Sequence, residues 1–152
     1  MNDALKADIN NESLNNRLNL INAYYAFPDT VFEYNGHHYN FYKNVCSSWE
    51  DAVEFCEELE GHLAIINNKE ENKILGDALK KAGYDFAYFG LTDKEEEGVW
   101  LYVDDTFPTY ENWGEGEPNN ELNEDYALIY NDYYWNDADF GRGAVFICEW
   151  DF

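Results

Sequence analysis

Basic side chains are scarce in this sequence: nine Lys and Arg stand against 32 Asp and Glu, a formal net charge of −23 over 152 residues. Phosphate backbones and anionic lipid surfaces both repel such a chain, which excludes nucleic acid as a partner. Long apolar runs are lacking too, and none approaches the roughly 20 residues of a bilayer-spanning helix; direct membrane insertion is therefore not expected. The first 16 residues are polar and carry no apolar stretch of the secretory kind. Either a leader has been removed or the chain is cytosolic. Only three cysteines are present, so one has no internal partner whatever the pairing. They form no Cys-x-x-Cys and no Cys/His cluster, and structural zinc is unsupported by sequence spacing. The count permits a disulfide without establishing one.

Aromatic residues, by contrast, are plentiful: 13 Tyr, 10 Phe and 5 Trp make up 18% of the chain. That is material for one domain with a real core, and the acidity does not signal disorder. The acids are unevenly spread. Between Asp93 and Asp139 there are 15 of them and one base, Lys94. Repulsion at that density is costly unless the stretch is well solvated or neutralised by cations. A solvated acidic face is the plain reading of a charge run.

Residues 3–26 read as a polar helix with a thin stripe of Leu14, Leu18, Ile21 and Tyr25, ended by Pro28. It either packs on the domain or forms a short oligomerising neck. A boundary near residue 30 separates this extension (1–30) from the main domain (31–152). Strand-like runs at 31–34 and 37–42 flank Asn35-Gly36, the turn of a type I′ hairpin. A helix follows, capped by Ser47 or Ser48 and ended by Gly61, with Trp49, Ala52, Val53, Cys56 and Leu59 as its buried stripe. A second helix over 69–81 buries Ile74, Leu75, Ala78 and Leu79 and stops at Gly83. Short strand-like runs then fall at 86–91, 99–103, 126–130 and 144–150. Helices first and strands later predict an α+β fold. The loop over 107–125 is too long for a plain connector and is a candidate functional loop.

In and after that loop lie Glu117-Pro118-Asn119-Asn120, Glu124-Asp125 and Trp135-Asn136-Asp137. Their polar groups are carboxylates and amides, the hard oxygen donors of which calcium takes 6–8 at about 2.3–2.6 Å. Magnesium, with its strict octahedron and fewer protein ligands, is a poorer match. EF-hand spacing is absent, so a site must be assembled from separate loops.

The order and spacing of Gly61-His62-Leu63-Ala64, Phe89-Gly90-Leu91-Thr92-Asp93, Asn112-Trp113, Gly116-Glu117-Pro118-Asn119, Trp135-Asn136-Asp137 and Phe146-Ile147-Cys148-Glu149 resemble the C-type lectin domain family. The resemblance spans 31–150. It implies two helices, two small antiparallel sheets and a long calcium-binding loop region. It also implies one to two Ca2+ ions. Glu117, Asn119, Glu124, Asn136 and Asp137 would hold the principal one, with a cis peptide before Pro118; Asp93, Glu97, Asn120, Glu124 and Asp125 would hold an accessory one. The principal set would also bind the sugar, with Tyr133 and Tyr134 as candidates to rest against its apolar face. Glu-Pro-Asn goes in the family with mannose-, fucose- and glucose-type sugars, bound by vicinal equatorial hydroxyls. The implied partners are glycans, on cell surfaces or free, and the implied setting is extracellular or at the cell surface.

Cys56 and Cys148 match the family's long-range disulfide. Its second pair is missing: Tyr126 and Phe140 occupy those positions, and a mutual aromatic contact is expected in its place. Cys46 has no counterpart and reads as a buried thiol in preference to a dimer bridge. The alternative to a sugar-binding domain is a calcium-dependent protein-binding domain of the same fold. An ice-binding surface lacks its flat Thr or Ala array, and no catalytic arrangement appears, so the chain is not expected to be an enzyme.

Overall fold

In the computed structural model, which describes residues 32–121, 123–141 and 144–151, the Asn35-Gly36 turn folds β1 (Phe32–Tyr34) onto β2 (His37–Lys43). Both turn residues take positive φ, 51° and 83°, as a type I′ turn requires. The helical extension expected over 3–26, and any oligomer contact through it, lie outside the described residues.

Helix α1 (Trp49–Glu58) starts where the Ser48 hydroxyl accepts from the Asp51 N–H at 3.1 Å, with Glu50 and Asp51 in its first turn. Trp49, Ala52, Cys56 and Leu59 are buried and Val53 half-buried, as the stripe predicts. Gly61 acts differently from expectation. Glu60 takes the left-handed turn (φ 64°). Gly61 instead allows close approach: a Cβ there would lie 2.7 Å from the Glu149 carbonyl oxygen and 2.8 Å from Trp150 Nε1. Helix α2 (Lys69–Ala82) is capped by Asn68, whose side chain accepts from the Glu71 N–H at 2.9 Å, and ends at Gly83 with φ 81°. Its stripe buries Leu75 and Leu79, but also Glu71, Asn72 and Gly76.

The remaining strands are β3 (His62–Leu63), β4 (Phe86–Thr92), β5 (Leu101–Tyr102), β6 (Tyr126–Tyr130), β7 (Trp135–Ala138) and β8 (Val145–Asp151). Their order is β1-β2-β8-β4-β6-β7, with β3 on β8 and β5 on β4. Two antiparallel groups are recognisable, and one parallel pairing, Tyr88 with Phe146, joins them into a continuous mixed sheet. Together with the two helices this is the α+β architecture read from the sequence. One core lies against α2 (Leu75, Leu79, Phe89, Trp135, Ile147) and another against α1 (Trp49, Cys56, Leu63, Phe146, Trp150). A disulfide between Cys56 and Cys148, 92 residues apart in sequence, ties α1 to β8. Cys46 is a free, half-buried thiol whose pKa burial pushes up to about 11.

The aromatic replacement of the second disulfide takes another form than expected. Tyr126 stacks on Trp49 with centroids 5.1 Å apart and donates its phenol to Glu50 at 2.7 Å. Phe140 packs on Tyr88 at 4.7 Å. Among the described residues no ring contact joins Tyr126 to Phe140. A disulfide needs two short side chains face to face; rings reach farther, and each here reaches a different neighbour.

Candidate metal centre

Strand β7 was legible in the sequence only as a ligand motif, yet its alternation builds the site. Trp135 and Asp137 point inward, both 0% exposed. A carboxylate buried that completely needs partners, and Asp137 finds them across the loop: its oxygens accept the N–H groups of Asn119 at 3.0 Å and Asn120 at 2.6 Å. The segment Glu117–Asn120 is thereby pinned to the strand. The Glu117–Pro118 peptide is cis, as the resemblance implied.

Pinning brings carboxylates together. Oxygens of Glu117, Glu124 and Asp137 lie within 4.8 Å of one another. Around them, Glu124 Oε2 and Asn136 Oδ1 are buried without a hydrogen-bond partner. Acceptors left unpaired in a cluster of like charge are what a cation would satisfy. Burial, then the hydrogen bond and charge of Asp137, raises the Glu117 carboxyl to about 7; burial and Asp137 raise Glu124 as well. Asn119 turns its amide along the loop, donating to Glu117 Oε1 at 2.9 Å and accepting from the Glu121 N–H at 2.9 Å.

A second cluster lies at the end of β4, where Asp93, Glu97 and Asp125 present oxygens within 4.8 Å of one another. Asp93 is 2% exposed. One of its oxygens accepts from the Gly98 N–H at 2.9 Å; the other, with Asn120 Oδ1, is buried and unpaired. The Thr92 hydroxyl holds the Asp125 carbonyl at 2.6 Å. Glu124, expected to serve both sets, groups with Glu117 and Asp137.

The two tyrosines expected near a sugar are separated. Tyr134, 52% exposed, lines a depression of about 510 Å3 together with Glu117, Tyr130, Trp135 and Asn136. Tyr133 is committed to α2 instead. Its hydroxyl donates to Asp77 at 2.6 Å, and its ring fills the space where a Cβ on Gly76 would stand. Sequence reasoning passed over Asn72, which positions the motif. Its Oδ1 accepts from Trp135 Nε1 at 2.7 Å and its Nδ2 donates to the Tyr133 carbonyl at 2.9 Å. The signal was available: positions 72, 75 and 79 share one stripe, and an amide on an apolar stripe implies a buried hydrogen-bond partner.

The profile of the Lectin C-type domain family matches residues 45–150. The chain belongs to the C-type lectin domain family. It is 36% identical over 123 residues to CD209 antigen-like protein C of Mus musculus, covering 79% of this chain and 66% of the relative. It is 41% identical over 88 residues to a mannose-binding protein of Gallus gallus, covering 57% of this chain and 34% of that protein. Among solved structures, the human scavenger receptor C-type lectin carbohydrate-recognition domain superposes with a TM-score of 0.72 at 33% identity, over 82% of this chain and 98% of that one. Domains of this family are in general non-enzymatic binding modules and in general bind Ca2+. A calcium ion would fit the residues present, since the two carboxylate clusters and their unpaired buried oxygens are hard donors of the type calcium takes.

Proposed function

We propose that this C-type lectin domain binds glycans in a calcium-dependent way, taking mannose-, fucose- and glucose-type sugars by two neighbouring equatorial hydroxyls. The observation that carries the reading is the convergence of Glu117, Glu124 and Asp137 beside the unpaired oxygens of Glu124 and Asn136, at the edge of an open depression. Bound calcium would supply two coordination positions for the sugar oxygens. The chain's own groups do the rest. A carboxylate facing the ion with one oxygen accepts a hydroxyl proton with the other, and an amide facing it with its carbonyl donates N–H to the same hydroxyl. Glu117 with Asn119 serves one hydroxyl, and Glu124 with Asn136 the other. For Asn119 this requires its amide to turn away from the Glu121 N–H. Asp137 keeps the loop on β7, and Tyr134 offers its ring to the apolar side of the sugar.

Asp93, Glu97 and Asp125, with Asn120, would hold a second ion beside the first. A site this shallow binds weakly, and its use lies in multivalency, which oligomerisation through residues 1–30 would supply. The setting that suits it is extracellular or at the cell surface, where calcium modules work with Kd of about 10⁻⁴–10⁻³ M.

A glycan array read with and without calcium tests the proposal. Signal on mannose-type glycans that vanishes on chelation is the expected result. Calcium binding with no glycan signal would move the reading to a calcium-dependent protein-binding domain. The double variant Glu117→Gln/Asn119→Asp should shift preference toward galactose; undiminished mannose preference would overturn the hydroxyl assignment.

A further inference from the structure

Away from the acidic loops, strand β8 carries Glu149 and Asp151 two residues apart and therefore on one face. Register places His37 of β2 directly opposite Asp151, and His62 of β3 directly opposite Glu149. The central strand thus offers two carboxylates, and each flanking strand adds an imidazole. His37 Nδ1 lies 3.0 Å from Glu149 Oε2 and 2.5 Å from Asp151 Oδ1. His62 Nε2 lies 2.6 Å from Asp151 Oδ2 and 3.8 Å from Glu149 Oε2.

The hydrogen bond on the far side of His62 decides what belongs in the middle. Its Nδ1 lies 2.8 Å from the Leu63 carbonyl oxygen, which only accepts, so Nδ1 carries the proton. Nε2 of the neutral ring then turns a lone pair toward a carboxylate, acceptor against acceptor. A positive centre has to lie between them, either a proton or a metal ion. Fixing the second ring nitrogen on a backbone carbonyl is also how proteins orient a metal-binding histidine. Glu149 is pre-set in the same way: its side chain is 2% exposed, and Oε1 accepts from the Ile65 N–H at 3.0 Å, leaving Oε2 for the cluster.

We propose that His37, Glu149 and Asp151, whose ligand atoms lie within 4.8 Å of one another, form the core of a zinc-class metal site on this domain, completed by His62 beside Asp151 and separate in position and chemistry from the calcium loops. His37 and the two carboxylates supply three ligands, His62 supplies the fourth once its ring turns from Asp151 onto the ion, and two carboxylates balance the charge of a divalent ion. Tetrahedral ligands with arms of zinc length stand about 3.3 Å apart; Glu149 Oε2 stands 3.0 and 3.8 Å from the two histidines, and Asp151, hydrogen-bonded to them at 2.5 and 2.6 Å, would draw apart from them to admit the ion. Calcium, which takes oxygen ligands, would not compete well for a site that is half nitrogen. Entry is open, since the side chains of His37, His62 and Asp151 are 35%, 24% and 49% exposed.

Zinc titration calorimetry with calcium saturating the loop clusters tests this. The full chain should take up one equivalent of zinc. His37→Ala or His62→Ala should weaken it by at least about tenfold. His38→Ala should leave it unchanged, because His38 faces Glu33 at 3.7 Å, off the cluster. Cobalt added to the unsubstituted chain should show the intense visible absorption of a tetrahedral ion, a readout independent of whether any variant folds. The proposal is overturned by zinc uptake that is absent or indifferent to both histidines, or by a weak octahedral cobalt spectrum. Neither measurement depends on sugar binding.

Discussion

The strands β1, β2, β3 and β8 and the loops between β4 and β6 are held together in opposite ways. On the first side, β2 and β8 pair through seven successive residues, from His37 with Asp151 to Lys43 with Val145, and a disulfide anchors β8 to α1. On the second, β5 (Leu101–Tyr102) is the one strand among the described residues between β4 and β6. Scattered backbone bonds, such as Trp135 N–H to Asn112 and Asp93 N–H to Asp125, are joined there by side chains that grip backbone: Asp137 on Asn119 and Asn120, Thr92 on Asp125, Asp93 on Gly98. Backbone pairing and a covalent bond work at any charge state. Carboxylates that repel one another hold a shape well only when something positive lies between them. The stapled half is a scaffold, and the loop half is the part that a bound cation would steady.

The largest effect should come from the scaffold. Replacing both Cys56 and Cys148 by Ala opens a 92-residue separation and should cost about 4–5 kcal/mol in the chain-entropy model. Denaturant unfolding measures that cost, and calcium affinity of the folded fraction should stay near its starting value. Next comes calcium itself. At about 100 times Kd it should stabilise the domain by about 2.7 kcal/mol. Hydrogen exchange should slow over residues 117–125 and not in β2 or β8; equal slowing everywhere would break the comparison.

Smaller, but more telling about position, is Asn72→Leu, which leaves the buried Trp135 indole N–H unpaired. About 1–3 kcal/mol of stability should go, and calcium affinity should fall because Asn136 and Asp137 follow that indole directly. The remaining effect is that of pH. Glu117, raised to about 7, and Glu149, raised to about 9, hold protons more tightly folded than unfolded. Their contribution is present below the ordinary carboxylate pKa and is lost as pH rises through the folded values. The calcium-free domain should therefore melt higher at about pH 5 than at about pH 8, while the loaded domain reverses this order as its ligands are protonated and the ion leaves. Parallel pH profiles for the two forms would show that the acids are not the ligands.

Much of the fold was legible because its signals are local. The Asn35-Gly36 hairpin, the Ser48 cap and the Gly83 stop each rest on a few adjacent residues, and the structure places them as read. Strand β7 was missed as a strand because Trp135 to Ala138 alternate only in burial, with a buried acid, Asp137, where a hydrophobe is usual. Gly61 was misjudged for a related reason: its constraint comes from Glu149 and Trp150, far along the chain. Of the candidate site, the clustering of Glu117 with Glu124 was near at hand in the sequence. The commitment of Tyr133 to α2 was not, since it depends on Gly76 and Asp77 in another element.

What the sequence by itself determined was the inventory: oxygen donors crowded into one stretch, two capped helices and a tight hairpin, with the Cys56–Cys148 staple implied only through the family resemblance. Caps, turns and side-chain periodicity act over a few residues, and a single chain displays them directly. Only the tertiary structure decided which distant groups meet. It sent Tyr126 to Trp49 and Phe140 to Tyr88 rather than to each other, and it gathered His37, His62, Glu149 and Asp151 on one face. Neighbours across a sheet are chosen by strand order and register, and register answers to the packing of the whole core.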